Sequence, residues 1–292
     1  MRNNLLSGAH LNDEKAAYEH LAKVRWPNGV RCIHCQSEKV YTLNVAGTAR
    51  VVLKCSKCRK QFSATVGTIF EKSHIPLTKW FMAFQLLASS KKGMSAHQLH
   101  RMLDITYKSA WFMAHRIRHV MKQTPFGDKL GGIVEADETY IGGKSRGMGH
   151  IPNKMPVFAL VERGGRVRSF TMPTVTATNL KRSIQEHVNT DAKLMTDELA
   201  AYTKIGKNFA DHQTVNHSQK EYARGEAGTN TVEGYFSLLK RGLTGTYHHV
   251  SPRHLHRYLD EFNFRYNARK DDDAMRAFLA VKQTEGKRLQ YR

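Results

Sequence analysis

Apolar positions recur along the chain with two different periods. Helical spacing is plain at Glu14–Val24, Leu77–Ser89, Ala96–Leu103 and Tyr107–Met121. Beyond Gly132 the pattern alternates instead. Ile133–Ile141, Pro156–Glu162, Val167–Pro173 and Ala192–Met195 read as strands, with Thr214–Asn216 a short further candidate. Helical spacing returns at Ala177–Val188, Leu199–Lys204, Thr229–Gly242 and Ser251–Arg269. Caps sharpen several of these ends. Ser95 opens one helix, Thr176 or Thr178 another, and Asn230 or Thr231 a third, which Gly242 is expected to close. Arg163-Gly164-Gly165-Arg166 marks a hairpin between the second and third strands. Asp271-Asp272-Asp273 reads as a solvated linker.

The cysteines divide the chain further. All four lie in two Cys-x-x-Cys knuckles, Cys32–Cys35 and Cys55–Cys58. Two knuckles can turn four sulfurs to one point, the tetrahedral set that Zn²⁺ prefers, and four protein ligands make such a zinc structural. Val40–Leu43 and Arg50–Lys54 between them predict a two-stranded ribbon, turning near Ala46-Gly47. A pair of redox Cys-x-x-Cys sites is the alternative, but nothing thioredoxin-like surrounds them.

Charge changes the picture next. The 292 residues carry 46 Lys plus Arg against 25 Asp plus Glu, a formal net of +21. The excess is spread along the chain, which favours a polyanionic partner, nucleic acid before membrane. No run of about 18 apolar residues occurs, nor anything like a signal peptide, so a cytoplasmic protein is expected. The helices 96–103 and 107–121 are joined by a tight turn, and the second is basic. That is the pattern of a helix-turn-helix, with Lys108, Arg116 and Arg118 as candidate DNA contacts. Helical hairpins that bind nothing share it. Arg116 and Arg118 stand two apart on a helix, so they cannot share one face.

The acids supply the candidate chemistry. Asp137 sits in mid-strand, where alternation puts Glu135, Asp137 and Thr139 on one face and Glu138 on the other. Asp197 ends the fourth strand. Glu233 and Lys240 stand seven apart on the 229–242 helix, pointing nearly the same way. By itself that helix reads first as a surface helix with a solvated acid and base. The element order, three strands and then alternating helix and strand, is the ribonuclease-H-like arrangement. There the first and fourth strands are neighbours and a closing helix reaches them, so Asp137, Asp197 and Glu233 would converge. Three carboxylates at one point call for cations, and hard oxygen donors favour Mg²⁺ or Mn²⁺ over Zn²⁺.

Taken in order, these stretches resemble bacterial insertion-sequence transposases of the DDE type, in the group with an N-terminal zinc ribbon. The resemblance rests on Glu-Ala-Asp-Glu-Thr-Tyr-Ile-Gly-Gly-Lys at 135–144, Thr-Asp-Glu at 196–198, Val-Asn-His-Ser at 215–218 and the stretch at 229–242. It runs on through 258–269 and, with the cysteine knuckles, spans Cys32 to about Arg269. It implies a multidomain α/β protein: N-terminal helix and zinc ribbon (1–74), helix-turn-helix-like DNA-binding region (75–125), and ribonuclease-H-like catalytic domain with C-terminal helices (126–292). It implies catalytic acids at Asp137, Asp197 and Glu233, a downstream Lys240, and catalytic Mg²⁺ or Mn²⁺ beside the structural Zn²⁺ of Cys32, Cys35, Cys55 and Cys58. It also implies cutting at transposon ends, joining to target DNA, a homodimer or larger assembly on DNA, and residence in the cytoplasm at the bacterial nucleoid. A nuclease that cuts without joining, such as a junction resolvase, and a zinc-ribbon DNA-binding regulator without catalysis are the readings that compete with it.

Overall fold

The computed structural model describes residues 8–43, 47–122, 128–143, 154–219, 221 and 223–289. Ala46 of the expected ribbon turn and Lys144 of the quoted motif lie outside them. In chain order the elements are α1 (Ala9–Asn12), α2 (Glu14–Arg25), β1 (Val40–Leu43), β2 (Val52–Cys55), β3 (Gln61–Phe62), α3 (Leu77–Ser89), α4 (Ala96–Leu103) and α5 (Tyr107–Met121). Then follow β4 (Ile133–Ile141), β5 (Met155–Glu162), β6 (Val167–Thr171), α6 (Ala177–His187), β7 (Lys193–Thr196), α7 (Ala200–Gly206) and β8 (Asp211–Thr214). A small hairpin of β9 (Ala223–Arg224) and β10 (Ala227–Gly228) precedes α8 (Asn230–Gly242), α9 (Pro252–Asn267) and α10 (Asp273–Lys282). These form two compact units, residues 1–121 with 271–292, and residues 122–270.

In the first unit β1, β2 and β3 make an antiparallel ribbon, the third strand being one that alternation over two residues could not signal. Its small core includes Leu53, Phe62 and the cysteines. α3 carries the large buried side chains Trp80, Phe81 and Phe84. Its first turn is capped from a distance: the Glu14 carboxylate accepts from Leu77 N at 2.7 Å and Thr78 N at 3.1 Å. Carboxylates there satisfy free N–H groups and oppose the positive end of the helix dipole. His10 and His20 stack at 4.1 Å beside Phe81. Burial first, then neighbouring positive charge, lowers His20 to about 4. Ser95 caps α4, its side chain accepting from Gln98 N. The acidic stretch read as a linker starts a helix instead. Asp272 caps α10 by accepting from Met275 N, and α10 packs on α3. Three consecutive acids suit a helix N-terminus as well as they suit water.

The second unit is a five-stranded sheet in the order β6-β5-β4-β7-β8. β4, β5 and β6 are antiparallel neighbours, whereas β7 runs parallel to both β4 and β8. This is the ribonuclease-H-like order, with helices on both faces. Val134, Ala136, Phe158 and Leu160 pack one face against α6 and α7 through Leu180, Ile184 and Tyr202. Val157, Ala159 and Val161 pack the other against α8 and α9 through Val232, Phe236, Leu239 and Phe262. The alternation of β4 therefore sends Glu138 toward α7 and Glu135, Asp137 and Thr139 toward α8.

α8 departs from expectation at both ends. Neither Asn230 nor Thr231 caps it; Thr229 occupies the cap position, and its side chain makes no capping bond to the helix backbone. Gly242 does not end it either. Gly242 is helical (φ −70°, ψ −46°) and buried, and the chain runs on into a wider π-turn, Leu243–Tyr247. A buried glycine inside a helix allows close approach, here taking precedence over its usual role as a stop. The turn ends at His248, whose positive φ of 59° is unusual for a residue other than glycine.

Candidate active site and metal centre

Asp137 lies mid-way along β4, half-buried, on the α8 face of the sheet. The β4–β7 register pairs Glu135 with Met195. Continued two residues at the same offset, it sets Asp197 level with Asp137. α8 brings Glu233 to the same place. Asp137, Glu138, Thr139, Glu233, Phe236, Ser237, Lys240 and Arg241 line one open cleft of about 460 Å³. Asp197 is not in that lining, but its charge is felt there. Burial raises the Asp137 carboxyl to about 7, and the charges of Glu138, Asp197 and Glu233 push the same way. Burial likewise raises Asp197, helped by Glu198, and raises Glu138, helped by Asp197. Each of these acids is harder to ionise because its neighbours are acids as well.

Further side chains hold this arrangement, none of them singled out for that role by the sequence. Glu135 is 1% exposed. It accepts from Thr231 N at 2.7 Å, Val232 N at 2.9 Å and the Thr231 hydroxyl at 2.8 Å, and pairs with Arg163 Nε at 2.6 Å. It thus caps α8 from the neighbouring strand and fixes where Glu233 emerges. Arg163 also donates to the carbonyls of Glu226 and Gly228, tying down the chain just ahead of α8. Glu198 accepts from His217 N, Ser218 N and the Ser218 hydroxyl. Those bonds, the hydroxyl's foremost, lower its carboxyl to about 2. They place His217 so that its Nε2 lies 3.3 Å from Glu233 Oε1 and 3.1 Å from Thr229 Oγ1. Glu138, on the far face, accepts from the Tyr202 hydroxyl at 2.6 Å. The sequence placed Glu135 on the Asp137 face. No local pattern could show its partners, Arg163 at 28 residues downstream and Thr231 and Val232 at 96 and 97.

In the first unit the cysteines come together. Cys32 Sγ lies 3.6 Å from Cys58 Sγ, and Cys35 Sγ 3.6 Å from Cys55 Sγ. All four sulfurs lie within 4.8 Å of one another, the one such set of His, Cys, Asp or Glu ligand atoms among the described residues. The N–H groups of His34 and Cys58 point at Cys32 and Cys55 sulfurs, as they do when a knuckle folds round a thiolate. This is a structural Zn²⁺ site. On α5, Lys108 is exposed and Arg116 partly so, whereas Arg118 is 2% exposed. Arg118 shares the buried side with Ala114, Ile117 and Met121. That burial takes it out of the candidate DNA contacts and leaves Lys108 and Arg116.

Residues 129–267 match the family model for the ISXO2-like transposase domain, and residues 12–61 match that for the transposase zinc-ribbon domain. A protein of Halobacterium salinarum, described as an uncharacterized protein in transposable element ISH50, is 30% identical over an alignment of 274 positions that covers 86% of this chain and 90% of that one. The chain belongs to the IS1595 family of DDE transposases. As a transposase it is a metal-dependent enzyme of an insertion sequence, with DNA as its partner. Among the described residues no helix is long and apolar enough to cross a membrane.

Proposed function

We propose that Asp137, Asp197 and Glu233 are the catalytic acids of this transposase and that Lys240 holds DNA phosphate beside them. The observation that supports this is geometric: half-buried Asp137 and Glu233 line one cleft with Lys240, with Asp197 level with Asp137 by strand register. Uncompensated negative charge in such a place is costly. Oxygen donors without a thiolate fit Mg²⁺ or Mn²⁺. Divalent metal bound there supplies Lewis acidity and an activated water or 3′ hydroxyl for in-line displacement at phosphorus. The protein's own share is placement. Glu135 and Arg163 set the start of α8, His217 orients the Glu233 carboxylate, and Lys240 and Arg241 offer positive charge to the backbone of the bound strand.

On this reading the transposase binds the ends of its element, cleaves there and joins the 3′ ends to target DNA. Residues 1–74 supply the zinc-ribbon region, 75–125 the end-binding helices with Lys108 and Arg116 toward DNA, and 126–270 the catalytic domain, while 271–292, expected to go with it, belong to the first unit. Joining two ends requires two active sites, so a homodimer or larger assembly forms on DNA, in the cytoplasm at the nucleoid. The test is to incubate the protein with labelled element ends, a target plasmid and Mg²⁺ or Mn²⁺. Joined product supports the reading. Cleavage without joining identifies a nuclease, and binding without cleavage a regulator.

A further inference from the structure

Helix α9 adds no side chain to the acid cleft. Its two asparagines meet the sheet instead. Among the described residues β6 is an edge strand. Asn267 Oδ1 accepts from Val167 N at 2.7 Å, and Asn267 Nδ2 donates to Val167 O at 3.1 Å. Asn263 Nδ2 donates to Ser169 O at 3.0 Å. Four residues of helix rise about 6 Å, and two of strand advance about 6.8 Å. The asparagine pair thus matches the repeat of the edge, and its amides stand where the groups of a sixth strand would be. The match fixes α9 along β6, because a slip of one residue in either element would break all three bonds.

α9 in turn holds α8. The Tyr235 hydroxyl lies 2.8 Å from Asn263 Oδ1 and 2.6 Å from Ser169 Oγ, and Ser169 Oγ donates to Asn263 Oδ1 at 2.8 Å. Tyr235 and Ser169 are buried. The Asn263 amide has one orientation that serves all of these groups, its nitrogen on the Ser169 carbonyl and its oxygen on the two hydroxyls. One side chain therefore ties β6, α9 and α8 together. A second tie lies beyond the end of α8, where the Tyr247 hydroxyl donates to buried Glu261 at 2.6 Å and Glu261 pairs with Arg265.

Tyr235 stands two residues after Glu233, about 200° round the helix. The buried stripe of Val232, Phe236 and Leu239 runs between them, so Glu233 leaves one flank of the stripe and Tyr235 the other. Apolar packing has no direction and resists rotation of such a helix weakly, whereas hydrogen bonds are directional. A carboxylate about 6 Å from the helix axis moves about 2 Å when the helix turns by about 20°. A misplacement of about 1 Å is enough to cost about a hundredfold in rate. We propose that Tyr235 and Asn263 are positioning residues of this transposase, setting the rotation of α8 and so holding the Glu233 carboxylate toward Asp137. Glu135 fixes where α8 begins, and the Tyr235 hydroxyl fixes how it is turned. The inference rests on the reading of Glu233 as a catalytic acid and carries the support of that acid back to the edge of the sheet.

The experiment uses the full chain with its zinc, and Mn²⁺ as the probe. Mn²⁺ binding is followed by electron paramagnetic resonance, and cleavage of labelled element ends by steady-state kinetics. Tyr235→Phe keeps the ring and removes only the hydroxyl. It should weaken Mn²⁺ binding by about tenfold and lower kcat by at least as much, with KM for end DNA unchanged. Asn263→Leu should do the same, and the double variant should lose little more than either alone. Ile184→Val thins the packing on the opposite face of the sheet. It should lower the melting temperature while leaving Mn²⁺ affinity and kcat as they are, which separates positioning from general loss of stability. Ser169→Ala keeps the bond between Tyr235 and Asn263, so it should weaken Mn²⁺ binding by less, and it carries the test if Tyr235→Phe does not fold. If Glu233→Gln loses Mn²⁺ binding and cleavage while the folded hydroxyl variant behaves like Ile184→Val, the positioning role is overturned and the reading of the acids stands. If Glu233→Gln binds Mn²⁺ and cuts like the wild type, the reading of the acids fails and this inference falls with it.

Discussion

The cysteine cluster and the proposed catalytic acids are built on opposite plans. Four soft sulfurs stand within 4.8 Å of one another, on knuckles whose N–H groups already face them. The three acids share one region but are not gathered to that distance. The difference follows from charge and from the task. Thiols can approach one another as neutral groups, and a closed tetrahedron leaves no place for substrate. Carboxylates repel, and a pair of ions about 4 Å apart needs ligands spread round both. The cysteines exist to finish a small fold. The acids carry a cost instead, since burial beside other carboxylates disfavours the ionised Asp137.

That contrast can be broken most directly by exchanging the consequences. Asp137→Asn should lower cleavage and joining by at least about a thousandfold while leaving end binding intact. Removal of the buried charge should at the same time keep or raise the melting temperature of the metal-free protein. A variant that cut normally, or that melted well below wild type, would put Asp137 in the structural class with the cysteines. Cys35→Ser should do the reverse. Zinc content falls below one per chain, the ribbon loses its fold, and the melting temperature drops; a chelator should reproduce this in the wild type. Retention of stoichiometric zinc would remove Cys35 from the set.

Smaller effects sharpen the comparison. Glu135→Gln should lower kcat by about 10- to 100-fold, the range seen when a supporting partner is removed from a metal site. It should also destabilise the protein, because one residue positions α8 and pairs Arg163. Steady-state kinetics beside urea melts separate the two contributions. Lys240→Ala should raise KM for end DNA and lower activity less than Asp137→Asn does, because the role proposed for Lys240 is to hold phosphate and not an ion. The smallest effect is a pH dependence in the first unit. His20 titrates near 4 in the folded protein against about 6.5 unfolded. Its contribution is complete above pH 6.5 and is lost as pH falls toward 4, since the unfolded chain takes up the proton first. His20→Phe should flatten that part of the stability curve, as measured by denaturant melts between pH 7 and pH 5.

Much of this was legible in the chain. α3, α4, α5 and β4 run over the residues that periodicity predicts, because each buries a continuous stripe or face. The cysteine knuckles could be read because metal-ligand spacing is local. The supporting shell could not. Glu135 reaches Thr231, and Glu198 reaches His217, across separations with no period to mark them. Gly242 and Asp272 misled for a related reason. Glycine and aspartate suit a break in a helix, but each also suits another place in one, and only the packing round them decides which. Arg118 shows the converse, since a charge on a helix says nothing about which face is buried.

Helix α10 lies at the far end of the chain, yet it packs on α3. The residues that complete the first unit therefore emerge from the ribosome only after the whole of the second. During synthesis the sheet of the second unit can close while the helices ahead of it still wait for their last partner. A copy of the gene interrupted between codons 270 and 273 would encode an intact second unit and an unfinished first one. Such a product would keep its acids but lack a stable partner for α3, so the insertion sequence couples the completeness of its message to the soundness of the protein's opening segment.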